Sequence, residues 1–200
     1  VLTINLTINN LPIPTYTSEV NITCMGSSGN IYTTQAGQSN YVWNVSGGGT
    51  IVGPANTNSI SVTWNTAGAQ TVQVVYDNPI TACTASPAVV SNVMVNPLPT
   101  ISFSAPHDRC IDFGNQTGLG GGTPLGGVYS GAGVIDNGNG TTYSFNPSIA
   151  GAGVHAITYT LTDGNGCSNS VSDDVEVFAL PVISFAAPAD LCINGGIKAL

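Results

Sequence analysis

The feature that most constrains the fold is an internal repeat. Residues 98–114 read LPTISFSAPHDRCIDFG and residues 180–196 read LPVISFAAPADLCINGG, so eleven of seventeen positions are identical at a spacing of 82 residues. A self-match at a fixed spacing indicates a chain built from copies of one structural unit. We therefore expect these 200 residues to be a segment of a longer string of small domains.

Proline-containing dipeptides mark the predicted borders of the domains. Each follows an alternating apolar run typical of a closing strand, and they are Leu11-Pro12, Leu98-Pro99 and Leu180-Pro181. Because proline fixes φ and lacks an amide donor, it suits a short stiff linker better than the interior of a sheet. The predicted organisation is the last strand of a preceding repeat over residues 1–10, complete domains over 12–97 and 99–179, and the start of a following repeat over 182–200.

Alternating apolar residues predict an all-β fold. Residues 59–64 place Ile60, Val62 and Trp64 on one face of a strand, and residues 155–163 alternate apolar side chains with threonines. Clusters of Gly, Asn, Asp and Pro bound these runs, and no long stripe of helical period occurs. We predict tandem Ig-like antiparallel β-sandwiches in an extended array.

The charge of the chain excludes several partners. Only 6% of the residues are charged, the formal net charge is −8, and there are two basic side chains. Such a chain cannot neutralise phosphates, so we exclude nucleic acid and anionic membrane surfaces as partners. No apolar run is long enough to cross a bilayer as a helix, and we expect no membrane insertion.

The five cysteines predict an oxidising compartment. Cys24 and Cys83 lie 59 residues apart in the first predicted domain, and Cys110 and Cys167 lie 57 apart in the second. We predict one disulfide within each domain, Cys24–Cys83 and Cys110–Cys167. Cys192 stands at the repeat position of Cys110, so its expected partner falls beyond residue 200. Paired cysteines favour an extracellular protein, and the alternative is five free thiols inside a cell.

Several runs resemble known extracellular repeats. Residues 41–49, YVWNVSGGG, resemble the strand-and-turn core of PKD domains, with Asn and Ser where that family usually has Asp and Gly. Residues 66–74, TAGAQTVQV, resemble a later strand of the same family. Residues 127–131 and 157–167 are similar to Ig-like repeats that occur beside PKD-like ones. The resemblance implies a PKD-like domain over 12–97 and an Ig-like domain over 99–179.

The resemblance also implies a function. Mixed arrays of this kind occur in very large surface proteins of Bacteroidetes-type bacteria, including gliding-motility adhesins exported by the type IX route. It predicts a non-catalytic structural and adhesive segment of an extracellular stalk or filament. The expected partners are neighbouring repeats, cell-surface glycans or proteins, and further copies of the protein. Two alternatives stay open: an accessory glycan-binding module of a secreted polysaccharide-degrading enzyme, and a filament subunit that exchanges strands.

Few residues are candidates for a ligand site. Arrays of this kind sometimes hold calcium at their junctions, and Asp108, Asp173 and Asp174 are the candidates here; no other cofactor is predicted. The Asn-Gly and Asp-Gly runs over 136–140 and 163–166 lack the acidic ligands of an EF-hand and predict hairpin turns.

The aromatic residues predict a core. Trp43 and Trp64 lie in alternating strands and are interpreted as core anchors rather than as a sugar-stacking platform. Tyr129, Tyr143 and Tyr159 are interpreted in the same way, with Tyr129 expected to be the most exposed because glycines surround it. No catalytic triad, paired glutamates or metal-binding histidine motif occurs, so no enzymatic activity is predicted.

Overall fold

The computed structural model describes residues 6–187. Eight strands fall in the N-terminal half: β1 Tyr16–Ser18, β2 Ile22–Cys24, β3 Asn30–Thr34, β4 Ser39–Val45, β5 Gly49–Val52, β6 Ser59–Trp64, β7 Gly68–Asp77 and β8 Val89–Asn96. The C-terminal half holds seven strands and one short helix: β9 Arg109–Cys110, β10 Gln116–Leu119, β11 Val128–Gly131, β12 Val134–Asp136, β13 Tyr143–Phe145, α1 Pro147–Ala150, β14 Gly153–Thr162 and β15 Ser168–Phe178. The prediction of an all-β fold is confirmed.

The N-terminal half is a β-sandwich, hereafter the N-terminal sandwich. One sheet has the strand order β1-β3-β6-β5 and the other β2-β8-β7-β4. The alternation in β6 buries Ile60, Val62 and Trp64 against the facing sheet, as the sequence predicts. The core draws on both sheets and consists of Tyr32, Trp43, Ile60, Val62, Trp64, Val72, Val74, Val93 and Val95.

The C-terminal half is a second sandwich with its own core, hereafter the C-terminal sandwich. A sheet of order β11-β14-β15-β9 faces a smaller sheet of order β10-β13-β12. Every strand pair described in residues 6–187 joins strands of the same sandwich. The second core consists of Tyr129, Tyr143, Phe145, Ile157, Tyr159, Leu161, Val175 and Val177. The domain boundaries at the Leu-Pro pairs stay a prediction.

Both sandwiches depart from purely antiparallel sheets at one edge. In the N-terminal sandwich β2 runs parallel to β8, and Cys24 stands opposite Asn96. In the C-terminal sandwich β9 runs parallel to β15, and Cys110 stands opposite Phe178. The parallel edge strand of each sandwich, β2 or β9, therefore ends beside the end of the last strand of that sandwich. This shared feature determines where the cysteines lie.

The aromatic core is largely as predicted. Trp43 and Trp64 are buried, with 8% and 0% of their surface exposed, so their interpretation as core anchors is confirmed. Tyr129, Tyr143 and Tyr159 are also buried core residues as predicted, and Tyr129, at 2%, is the most exposed of the three, which differ by only 2%. The glycines around Tyr129 make room for packed rings: a Cβ at Gly127 would lie 2.4 Å from the ring of Tyr159, which itself packs 4.8 Å from Tyr129.

The predicted terminal strands lie partly outside the described residues. Residues 6–10 form no strand, and Leu6 and Ile8 are more than four-fifths exposed. Residues 181–187 form no strand either, and the side chain of Phe185 is 89% exposed. Phe103, its equivalent 82 residues earlier, packs against the core of the C-terminal sandwich.

Candidate functional site

A disulfide joins the two sandwiches. Cys24 ends the edge strand β2, beside Asn96 at the end of β8. Cys167 stands in the tight connection between β14 and β15. The two cysteines are bonded, with their Cα atoms 5.5 Å apart and 143 residues of sequence separation. The bond therefore spans the Leu98-Pro99 junction and ties the end of one sandwich to the start of the next.

The predicted pairings Cys24–Cys83 and Cys110–Cys167 are wrong. Cys83 precedes β8 and Cys24 lies beside its last residue, so the eight residues of β8 separate them by about 25 Å. The eleven residues of β15 separate Cys167 from Cys110 by about 35 Å in the same way. A disulfide needs Cα atoms within about 7 Å of each other. The two cysteines of each sandwich are 59 or 57 residues apart because they occupy equivalent positions in the two sandwiches, and not because they are in contact.

Each sandwich consequently carries one cysteine at each end. We call Cys24 and Cys110, at the end of the parallel edge strands, the edge-strand cysteines. We call Cys83 and Cys167, in the loops that connect the last two strands, the hairpin cysteines. Among the described residues Cys83 is free and partly exposed, and Cys110 is free and exposed. Cys192 lies outside the described residues.

The turn that holds Cys167 is built from the predicted Asp-Gly-Asn-Gly run. The Asp163 carboxylate accepts hydrogen bonds from the backbone N–H groups of Asn165 and Cys167, both at 2.9 Å. Gly166 takes a φ of +80°, which only glycine adopts readily. The run is therefore a hairpin turn, as predicted. It fixes Cys167, whose side chain is fully buried, at the tip that faces the N-terminal sandwich.

Two of the three carboxylates predicted to bind calcium accept hydrogen bonds from backbone N–H groups. Asp108 Oδ1 accepts the N–H of Glu176 at 2.8 Å, and Asp173 Oδ2 accepts the N–H of Ala105 at 2.9 Å. Both bonds fix the segment before β9 against β15. Asp174 N–H donates to Asp173 Oδ1 at 3.0 Å. Within residues 6–187 no group of three His, Cys, Asp or Glu side chains is arranged to hold a metal ion.

The Leu-Pro linkers differ in exposure. At the junction that the disulfide spans, Leu98 and Pro99 are partly buried, and the Pro99 carbonyl accepts a hydrogen bond from Asn169 Nδ2 at 2.9 Å. Leu11 and Leu180 are 50% and 51% exposed, while Pro12 is partly buried and Pro181 is exposed. The middle linker is thus held by the fold of the C-terminal sandwich.

The chain offers no aromatic platform for a sugar in its described grooves. One is an apolar groove of about 250 Å³ on the outer face of β7 and β8, and another of about 230 Å³ lies between residues 12–14 and 86–89. Neither groove is lined by an aromatic ring, and both tryptophans are buried. Burial and the neighbouring Tyr129 raise the pKa of the Tyr143 phenol to about 12, so it stays neutral inside the core.

The comparisons support part of the predicted resemblance. The family described as PKD-like domain matches residues 11–93, so this part of the chain is similar to that family. No curated protein sequence matches the chain. Among the described residues, no helix is long and apolar enough to cross a membrane.

Solved structures of low sequence identity resemble the chain. The fibronectin(III)-like modules of Clostridium thermocellum CbhA match with 16% identity and a TM-score of 0.35, over 88% of this chain and 100% of that one. The insect immune protein hemolin matches with 12% identity and a TM-score of 0.36, over 88% of this chain and 49% of hemolin. SGBP-B of the Bacteroides ovatus mixed-linkage glucan utilization locus, in complex with a mixed-linkage heptasaccharide, matches with 14% identity and a TM-score of 0.31, over 83% of this chain and 47% of that one. The chain spans about half the length of the last two.

Proposed function

We propose that the chain is a non-catalytic structural and adhesive repeat segment of an extracellular stalk or filament on a bacterial cell surface. The observation that carries the proposal is the Cys24–Cys167 bond, which joins the two sandwiches across their junction. A covalent bond at this place limits bending between the sandwiches. It also redirects the path that tension takes through the chain.

The path of tension follows from the positions of the two sulfurs. A pull on the two ends of the chain reaches Cys24 from one side and Cys167 from the other, and then passes through the disulfide. The residues between them, which include most of both cores, carry no tension while the bond is intact. Only the residues before Cys24 and after Cys167 can be drawn out. Such an arrangement suits a protein that must keep its reach under force.

Composition and chemistry support the same proposal. Disulfides persist in oxidising compartments, which favours a location outside the cell. Burial of the aromatic side chains described above favours a structural role over glycan binding by these residues. The acidic, weakly charged surface suits a solvent-exposed repeat and no phosphate-bearing partner. The proposed partners are the neighbouring repeats of the same protein.

Single-molecule stretching tests the proposal. Reduction of the bond releases 143 residues of chain, which adds about 500 Å to the contour length at full extension. We expect oxidised molecules to lack this length and reduced molecules to show it, in two unfolding events that correspond to the two sandwiches.

A matched variant provides the control. The Cys83→Ala/Cys110→Ala variant loses the two free thiols of residues 6–187 and keeps the bond, so its traces should match those of the unmodified protein with and without reductant. If oxidised molecules release the full length at the same force as reduced ones, the chain does not carry tension through this bond and the proposed function is wrong.

A further inference from the structure

The free edge-strand cysteine Cys110 lies in the same local structure as the bonded Cys24. In the N-terminal sandwich the N–H of Ser27 donates to the Cys24 carbonyl at 3.1 Å, and the N–H of Met25 donates to the carbonyl of the last residue of β8 at 2.8 Å. In the C-terminal sandwich Phe113 N–H donates to the Cys110 carbonyl at 3.1 Å, and Ile111 N–H donates to the carbonyl of the last residue of β15 at 2.9 Å. The two cysteines therefore occupy equivalent sites.

The free hairpin cysteine Cys83 matches Cys167 in the same detail. The N–H of Asn78 donates to the Cys83 carbonyl at 3.0 Å, as the N–H of Asp163 donates to the Cys167 carbonyl at 2.9 Å. The side-chain oxygens of Asn78 and Asp163 each accept the N–H two residues further on at 2.9 Å. The loops differ in length, yet both present a cysteine at the end of the sandwich where its last strand begins.

We propose that Cys110 and Cys83 are the two halves of a further disulfide of the same kind. Cys110 bonds to the hairpin cysteine of a PKD-like or Ig-like sandwich that follows it, and Cys83 bonds to the edge-strand cysteine of one that precedes it. The rule is taken from the Cys24–Cys167 bond, in which the edge-strand cysteine of one sandwich meets the hairpin cysteine of the next. Repetition of this bond would give a stalk with a disulfide across every junction between sandwiches.

The surfaces around the two thiols fit a docked neighbour. Beside Cys110, Phe113 and Phe178 are 59% and 46% exposed, and both rings lie at the end of the sandwich. The apolar groove of residues 12–14 and 86–89 lies beside the loop that holds Cys83. Leu180-Pro181, which continues from β15, repeats the sequence that starts the C-terminal sandwich. The partner is therefore a further sandwich of the same kind.

The bond forms by ordinary exchange with a small-molecule disulfide such as oxidised glutathione. The Cys110 thiolate attacks one glutathione sulfur, which forms a mixed disulfide and releases one reduced glutathione. The hairpin thiolate of the neighbour then attacks the Cys110 sulfur and releases the second glutathione. Two thiols lose two protons and two electrons, and one glutathione disulfide is reduced to two thiols.

An extended chain tests the inference. Residues 1–179 are followed by a second copy of residues 11–97, so that Leu11-Pro12 takes the place of the third Leu-Pro pair. Cys83 of the first copy and Cys24 of the second are replaced by Ser, which makes every cysteine-containing peptide unique. The protein is folded in glutathione buffer, its free thiols are alkylated, and the unreduced digest is analysed by mass spectrometry.

The expected result is loss of alkylation at Cys110 and a peptide that links Cys110 to the appended Cys83. In the matched Cys110→Ser variant, the appended Cys83 should be alkylated. If the original Cys24–Cys167 bond forms while Cys110 and the appended Cys83 are both alkylated, the inference is overturned.

A second measurement applies if the original bond fails to form in the extended chain. Two forms of the 200-residue protein are mixed in equal amounts, both with Cys192→Ser: one keeps only Cys110 free and the other keeps only Cys83 free. Random coupling makes half of all disulfide dimers mixed ones, so a mixed fraction clearly above half supports the inference. A fraction at or below half, or no dimer, overturns it.

The inference goes beyond the proposed function, and the two can fail separately. Failure of the stretching experiment concerns the bond already present and its response to force. Failure of the extended chain to link Cys110 would leave that bond intact and restrict it to a single junction.

Discussion

Removal of the Cys24–Cys167 bond should destabilise both sandwiches by an amount set by loop closure. When the N-terminal sandwich unfolds and the C-terminal one stays folded, Pro99 is held near Cys167 through Asn169. The disulfide then closes a loop of about 75 residues, from Cys24 to Pro99, which is worth about 4.5 kcal/mol of loop-closure entropy. The folded variant regains some freedom at the junction, so we expect a loss of about 2–4 kcal/mol.

The assay is thermal unfolding followed by circular dichroism and calorimetry. For domains of this size a loss of 2–4 kcal/mol lowers Tm by about 10–20 °C. The test variant is Cys24→Ala/Cys167→Ala, and the control is Cys83→Ala/Cys110→Ala, which keeps the bond and should stay within about 3 °C of the unmodified protein. A reductant should lower the Tm of the unmodified protein and leave that of the test variant unchanged.

The use of reductant separates the bond from the packing of the side chains. Cys167 is fully buried, so its replacement also removes a sulfur from the core edge, whereas reduction leaves both sulfurs in place. If neither the test variant nor reduction lowers Tm by more than the control does, the loop-closure reasoning is refuted. If only the variant is destabilised, packing and not the covalent bond accounts for the effect.

Three further predictions concern the cores. A Cβ at Gly49 would lie 2.6 Å from the ring of Trp64, so Gly49→Ala should cost about 1–3 kcal/mol in chemical denaturation, whereas Gly47→Ala, with open space around it, should cost less than about 0.5 kcal/mol. The buried Tyr143 hydroxyl lacks a hydrogen-bond partner, so Tyr143→Phe should be neutral or stabilising, whereas Tyr159→Phe, which loses two partners, should cost about 1–2 kcal/mol. The pKa of Tyr143 is raised from 10.0 to about 12 in the folded state, so this difference stabilises the fold fully below pH 10 and the stabilisation is lost between about pH 10 and 12. In urea titrations Tyr143→Phe should therefore lose less stability at alkaline pH than the unmodified protein, and equal losses would contradict this.

The sequence predicted those features that depend on local pattern. The alternation over residues 59–64 coincides with β6, and the run over 155–163 falls almost entirely within β14. The Asp-Gly-Asn-Gly run predicted a turn because its side chain and glycines satisfy that backbone locally. These elements need no knowledge of the rest of the chain.

The cysteine pairing could not be predicted in this way. A spacing of nearly sixty residues fits two cysteines in contact and equally fits two cysteines at opposite ends of a sandwich. The distinction depends on the parallel edge strands β2 and β9, and no alternation of apolar residues reveals strand direction. The tight packing around Tyr129 could not be predicted for a related reason, because its neighbouring glycines open space that rings from distant strands fill.

The positions of Cys24 and Cys167 also divide the molecule into a part that can unfold under tension and a part that the disulfide protects from tension. Strands β1 and β2 precede or end at Cys24, and β15 follows Cys167, so these are the segments that a strong pull would peel away. Strand β9 pairs with β15 at the edge of its sheet and would lose that pairing, while the other strands between the two sulfurs would stay in place as a template on which the peeled segments can re-form. Each pair of sandwiches would then extend by a limited length under force and refold when the force is released, and the residues outside the bond would set that length.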